Sequence, residues 1–575
     1  MTVGLLFGGC GPAEPQHTAN ARVRDGRKME LAAQTDQKKL AWWFIAGFVA
    51  VAAIAVAYRV PRLGERTFHG DEAVQAFKAG QELYEDGEYE YNPEEYHGPT
   101  LYYLTVPALW LSGIKHFADS TEVHYRIVPV LFGLGTVLCL WWARDGLGRR
   151  ATLIAGLLTA LSPAMVYYSR YYIQESLLVF FTFATLVTGW RYTRRRNVVW
   201  AALCGASLGM MHSSKETCVI SYFGVAVAFM LTPLWARLHD EEHPLNRVFR
   251  RGESEDLRPR LARQIVAFVA AGALVSMLMF SSFFTNLQGI IDSVMSYTVY
   301  VQRAVEAGIH HHPATYYLHL LLYTHRAAGP VWSEGLIVGL ALVGAVSALM
   351  RHDRDNKPGN VHFLRFVTVY TITTTIVYSS IKYKTPWSIL CSLHGMILLA
   401  GAGAVVLLRI MPCWPKKAGT LRYAPKVFAG LVLAALAIQL GWQSYLANFD
   451  YYDDPRNPYV YAHAVSGVRD LGERADAIAQ YAPEGHGMLI RVITPGLNYW
   501  PLPWYLRRFP NVGYWQEVPE NCDAPMIITT AKLAPEVYAR LKDEYQSENY
   551  GLRPGIRLVA FIRRDLWDAF MAPRM

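Results

Sequence analysis

Runs of about twenty apolar residues recur along this chain, and no other feature narrows its fold so far. A helix needs about 20 mostly apolar residues, with about 17 the lower limit, to cross a bilayer. By that measure spans begin near Ala41, Ile127, Ala151, Glu175, Val198 and Thr217, and again near Gln264, Val331, Phe363, Trp387 and Val427. The expected fold is a polytopic α-helical membrane protein with about 11 transmembrane helices. Composition agrees, with 52% hydrophobic and 18% charged residues against about 25% charged in soluble domains. Leu101–Ile114 is too short to span comfortably and reads as an interfacial or partly inserted helix.

The formal charge of +9 raises the question of a nucleic-acid partner. Its distribution answers it. Basic residues fill the N-terminal arm (Arg22, Arg24, Arg27, Lys28), then Arg144–Arg150, Arg191–Asn197, the loop Arg237–Arg263, Met350–Lys357 and Pro415–Lys426. Every second connection is basic, as cytoplasmic loops of membrane proteins are. The charge is thereby accounted for without nucleic acid, and the expected address is the cell (inner) membrane with a cytoplasmic N-terminus. Seven scattered cysteines show no CxxC or metal spacing and read as small core residues. Around Cys10 the stretch LLFGGCG lacks the length and preceding basic residue of a secretory signal. Residues 1–38 are set apart as an arm, with Met29 an alternative start. Residues 39–447 form the expected transmembrane domain, with a first outer loop at 59–126. Residues 448–575 lose the continuous apolar character. There SGVRDLGERADAIAQYA and LAPEVYARLKDEY read as helices, and GMLIRVIT, PMIITT and IRLVAFI as strands, giving a small extracytoplasmic mixed α/β domain.

The outer connections hold the chemistry. The first carries Asp71 and Glu72, with His69 and His97 in the same loop. The second carries Arg170 and Glu175, and Glu175 opens an apolar run where an unpaired carboxylate is expensive. Lys215, Lys382 and Lys384 lie at outer span ends, against the positive-inside bias, and Arg326 lies in the long outer loop. Snorkelling accounts for any one of them; together they suit an anion at the membrane surface, such as a lipid phosphate or pyrophosphate. Carboxylates beside cations at a lipid surface suit transfer of a group activated by a lipid phosphate, one acid accepting a proton while cations stabilise the leaving phosphate. Asp71 and Glu175 are also candidate ligands for a hard divalent cation, Mg²⁺ or Mn²⁺. His310, His311, His312, His319 and His325 form a further cluster, whose consecutive members point apart and make a poor metal site. No P-loop, GxSxG, HExxH or dinucleotide fingerprint occurs. The aromatic stretch NYWPLPWYLRRFP has two readings, stacking on sugar rings or an interfacial belt.

The ordered set HGDEA, SRYYIQES, about eleven spans and an outer C-terminal domain resembles the GT-C glycosyltransferases, among them protein O-mannosyltransferases and aminoarabinose transferases. HGDEAVQAFKAGQELYEDGEYEYNPEEYHGP, GPVWSEGLI, YKTPW and WPLPWYLRRFPNVGYW are most similar to the flippase-activity-associated proteins of archaeal-type glycosylation. The resemblance covers nearly the whole chain after about residue 40. It implies a polyprenyl-phosphate-linked sugar donor and inverting transfer outside the cytoplasm to a glycan, protein or lipid acceptor. It places Asp71 as base or metal-facing carboxylate with Glu72 beside it, Arg170 on the donor phosphate and Glu175 as second acid. Lys215, Lys382 and Lys384, with His69 and His97, remain candidate substrate contacts on physical grounds. The family's name leaves a second reading open, a flippase or flippase-accessory protein for lipid-linked sugars.

Overall fold

The computed structural model describes residues 42–95, 97–239, 257–305, 310–350, 359–413, 415–496 and 498–574. The arm at 1–38, Cys10 and Met29 lie outside the described residues, as do most of the basic loops at 237–263 and 350–357. Two compact units divide the chain, Met1–Val51 and Ala52–Met575. A helix stands at each of the eleven expected positions: α1 (Trp42–Arg59), α4 (Glu122–Leu147), α5 (Arg149–Leu161) with α6 (Pro163–Ser169), α7 (Glu175–Arg195), α8 (Val198–Ser214), α9 (Cys218–Leu238), and further helices at Leu257–Phe280, Gly335–Leu349, Val361–Ser380, Leu390–Ile410 and Ala424–Tyr445. Among the described residues six are long and apolar enough to cross a membrane, or seven with α5–α6 counted as one bent span. Two short helices, α2 (Gly70–Phe77) and α3 (Thr100–Leu111), belong to the first loop.

Small residues let these helices close on one another, as packing within a bilayer requires. A Cβ on Gly205 of α8 would stand 1.9 Å from the Phe268 carbonyl oxygen, so only glycine admits the facing helix there. The α5–α6 bend of 61° falls at Ser162, whose Oγ accepts from the Met165 amide at 3.3 Å, with Pro163 at the first helical position. Buried Glu334, from the GPVWSEGLI stretch, accepts from Ser162 Oγ at 2.7 Å and the Ala164 amide at 2.9 Å, satisfying the donors that the break exposes. The bend delivers Arg170–Glu175 between α6 and α7.

A mixed five-stranded sheet forms the C-terminal region. Strands β1 (Ile490–Ile493), β2 (Val512–Trp515), β3 (Met526–Thr530), β4 (Tyr545–Arg553) and β5 (Ile556–Arg563) lie in the order β2-β1-β3-β5-β4. The first three are mutually parallel; β5 is antiparallel to β3 and β4. Period-two alternation splits the core: Met526 and Ile528 pack under Val468, Leu471 and Ile478 of the helix Gly467–Ala479, while Ile527 faces Val537 and Phe561 on the other side. LAPEVYARLKDEY yields only a six-residue helix, Ala534–Ala539, because Tyr545 already begins β4.

Candidate active site

The first loop enters α2 through a reciprocal cap. His69 Nδ1 accepts from the Asp71 amide at 3.0 Å, and Glu72 Oε2 accepts from the His69 amide at 3.1 Å. That geometry sends the two adjacent acids to opposite fates. Glu72 is fully buried, and Arg126 grips it through Nε to Oε1 and Nη2 to Oε2, both at 2.8 Å. The Tyr172 amide donates to Oε1 at 2.9 Å, and Arg66 Nη2 approaches it at 3.4 Å. Burial pushes the carboxyl upward, but the Arg126 and Arg66 charges prevail and hold it well below the usual carboxylate range. Glu72, expected in the catalytic set, is instead the clamp that fixes the loop: both oxygens are engaged and no face meets solvent.

Arg170 is the second correction. Expected on the donor phosphate, it is buried and donates to the carbonyls of Arg59 at 3.0 Å and Pro61 at 2.6 Å. Arg126 similarly binds the Leu63, Arg66 and Thr67 carbonyls at 2.7–3.0 Å. Two guanidiniums therefore tie residues 59–67 to the helical body, because this segment lacks a ladder for its own carbonyls.

Asp71 is left half-exposed, its side chain 49% accessible, with His69 Nδ1 3.6 Å from Oδ2. Around it stands a wall of rings from four other stretches of chain. The His69 ring lies 5.7 Å from Tyr171, 5.6 Å from His463 and 6.5 Å from Trp387. Trp387 in turn meets Tyr461 at 5.8 Å, and the Tyr461 hydroxyl bonds His310 Nδ1 at 2.7 Å and reaches His312 Nε2 at 3.5 Å. Asp71's charge acts on both Tyr171 and His310. The backbone of 310–312 is paired with that of 382–384. Burial pushes His463, His310 and His312 below the usual imidazole range, so they stand neutral at pH 7. Sequence reasoning missed Tyr171, Tyr461 and His463 as neighbours of Asp71. Trp387 was quoted within YKTPW without a role. His319 and His325 are exposed and do not join His310 and His312 at Tyr461.

The other expected contacts gather at a second centre. Glu175 and Lys215 form a buried ion pair, which brings α7 to the end of α8. The next residue, buried Glu216, binds His97 Nδ1 at 2.7 Å. Burial pushes the Glu216 carboxyl upward, yet the His97 charge and hydrogen bond bring it below its ordinary value. Gly98 permits this docking, since a Cβ there would come 2.2 Å from the Ser213 carbonyl oxygen. Lys384 is buried, donating to the carbonyls of His312 at 3.1 Å and of Ile381. Lys382 is exposed, and Arg326 holds the Pro455 carbonyl at 3.0 Å. Glu175 is matched by an ammonium rather than by Asp71, and among the described residues no group of three or more His, Cys, Asp or Glu could hold a metal ion. The two-carboxylate cation site does not fit this donor set.

Trp504, from the aromatic stretch expected to stack on sugars or line the interface, is 1% exposed. It packs on Phe68 at 4.5 Å and Tyr125 at 5.4 Å and donates from Nε1 to Glu122 at 3.2 Å. Tyr505 accepts the Phe68 amide at 2.9 Å, and Arg469 binds the Gly64 and Glu65 carbonyls at 3.0 Å. These residues clasp the C-terminal region to the first loop.

Comparison with solved structures places this arrangement. ArnT from Cupriavidus metallidurans bound to undecaprenyl phosphate superposes with a TM-score of 0.58 at 14% identity, over 90% of this chain and 97% of that one. Its apo state gives 0.54 at 15% identity, over 91% and 98%. The archaeal oligosaccharyltransferase AglB from Archaeoglobus fulgidus, in complex with an inhibitory peptide and a dolichol-phosphate, gives 0.52 at 11% identity, over 87% and 71%. This is a GT-C fold. A family model described as dolichyl-phosphate-mannose-protein mannosyltransferase matches residues 105–248, within the membrane part of that GT-C fold. No curated protein sequence matches. With its apolar helices the GT-C chain is a multi-pass membrane protein.

Proposed function

We propose that this protein is a glycosyltransferase that moves a sugar from a polyprenyl-phosphate carrier to an acceptor at the extracytoplasmic membrane face. The observation that carries the reading is Asp71, a half-exposed carboxylate whose neighbour Glu72 is locked by two arginines. The likeness to ArnT, solved with undecaprenyl phosphate, supports the donor class. Asp71 accepts the proton of the acceptor hydroxyl as its oxygen bonds to the anomeric carbon. The bond from that carbon to the phosphate oxygen breaks, and the electron pair leaves on the polyprenyl phosphate. Exposed Lys382, in the segment paired with His310–His312, is a cation that can meet that phosphate. Neutral His310 and Tyr461 offer hydrogen bonds beside the acid, and Trp387 offers a ring face to a sugar.

The test is transfer in reconstituted membranes, with a labelled polyprenyl-phosphate sugar and membrane-derived acceptors. Asp71→Asn is expected to lower transfer by about 10²–10⁴-fold with unchanged melting temperature. Full activity in that variant would overturn the assignment.

A further inference from the structure

Behind the Glu72 clamp lies a small cavity lined by Arg62, Arg66, Arg126 and Arg170, with Asn448 and Tyr452 completing its polar wall. Asp71 does not line it. Cations cluster there. Glu72 answers Arg126 and Arg66, and Glu65 answers Arg62 at 2.7 Å. Arg170 has backbone carbonyls but no carboxylate partner among the described residues. Two carboxylates thus pair with three of the four guanidiniums, while Asp453 and Glu122 act on Arg66 and Arg126 from further off; clustered buried cations are costly unless they are matched.

A second observation is independent of the charge count. Arg66 is 6% exposed, and its Nε is a buried donor with no acceptor among the described residues. Its ring contacts, 4.9 Å to Tyr167 and 4.7 Å to Tyr171, hold the guanidinium plane in place. Asp453, beside Tyr452, feels the Arg66 charge but makes no ion pair among the described residues. A buried donor aligned this way and left unmade is expensive. Burial, together with the charges of Arg66, Arg126 and Arg59, pushes the Arg170 guanidinium down to about 9.

The geometry points to an oxoanion site: the cavity seats one oxygen of a phosphate, free or in the headgroup of an anionic lipid, while the rest of the group stays at the mouth beside Arg62. Size supports this mode, since the cavity has room for about one water-sized atom. Arg62 is half-exposed and so reachable from outside. Planar guanidinium forks match phosphate oxygens. Occupancy would lock residues 59–67, the segment whose carbonyls Arg126 and Arg170 already hold, and so stiffen the base of the first loop.

The experiment measures thermal unfolding of the full chain. In detergent, inorganic phosphate is titrated against chloride at equal ionic strength. In nanodiscs, phosphatidylglycerol is compared with phosphatidylcholine alone. A saturable rise in melting temperature is expected with phosphate, with phosphatidylglycerol, or with both, and the pattern names the source. Arg62→Gln, at the exposed mouth, is expected to weaken the phosphate midpoint by about tenfold, the loss of one charge-assisted hydrogen bond. Absence of a saturable shift in both arms overturns the proposal, as does a shift of the same size and midpoint in Arg62→Gln.

Discussion

Asp71 and Glu72 are neighbours in the chain and opposites in the fold. Both leave the first turn of α2, yet Glu72 meets two guanidiniums and two amides in a sealed interior while Asp71 meets solvent and a wall of aromatic rings. A carboxylate surrounded by matched donors stabilises structure and has no affinity to spare for a reacting proton. One left half-open beside uncharged hydrogen-bonding groups can take that proton and release it. A helical turn whose first two acids point apart makes a scaffold of Glu72 and leaves Asp71, the proposed base, open to solvent.

The comparison breaks most sharply by exchange of roles. Asp71→Asn is expected to remove about 3–5 kcal/mol of transition-state stabilisation, read as initial transfer rates, and to leave folding untouched. Glu72→Gln is expected to do the reverse, destabilising the protein by about 3–5 kcal/mol because Arg126 and Arg66 lose their counter-charge, seen as a large drop in melting temperature. Equal losses of activity at equal folded fraction would erase the distinction. Trp504→Ala is expected to cost about 3 kcal/mol or more by opening a void against Phe68 and Tyr125, with limited proteolysis between the first loop and the C-terminal region as readout.

Acidification sharpens the same contrast. His463, His310 and His312 have folded pKa values below the unfolded value of 6.5, so the unfolded chain binds protons first. Stability is full above about pH 6.5 and falls as pH drops beneath it. Glu72, also depressed, keeps its contribution above its unfolded value of 4.5 and loses it only as pH falls through its lower folded value. A melting-temperature profile should therefore decline first on the histidines, and His463→Gln should flatten that limb. The smallest expected effect is Tyr461→Phe, which removes the hydroxyl bound to His310 and costs about 1 kcal/mol, read as a few-fold change in kcat/KM.

Periodicity and loop charge made the helices legible, since a bilayer imposes length and apolarity on each segment separately. The mixed C-terminal sheet was legible for the same local reason, except for β2, only the four residues VGYW, and β4, whose residues YQSENYGLR carry no apolar alternation. Asp71 could be singled out because it follows the first span on the less basic side. The roles of Glu72 and Arg170 could not, because a clamp is defined by what it touches: Arg126 lies 54 positions from Glu72, and Arg59 lies 111 from Arg170. His463 and Tyr461 reach Asp71's neighbourhood from the far end of the chain, and their spacing carries no signal of that meeting. Of the expected cations, Lys215 and Lys384 were indeed unusual, but each is spoken for by Glu175 or by carbonyl oxygens.

The clasp between the first loop and the C-terminal region sets a timetable for synthesis. Phe68 waits for Tyr505 across 437 positions, and Thr67 waits for the Ala464 carbonyl across 397. At about 5–20 residues per second, translation needs roughly 20–90 s to cover such a distance. During that interval the Asp71 loop is already exposed but lacks the His463 and Trp504 side of its enclosure. A chain released early, short of residue 463, carries the carboxylate without its wall, so the candidate active site is assembled only when the last quarter of the protein arrives.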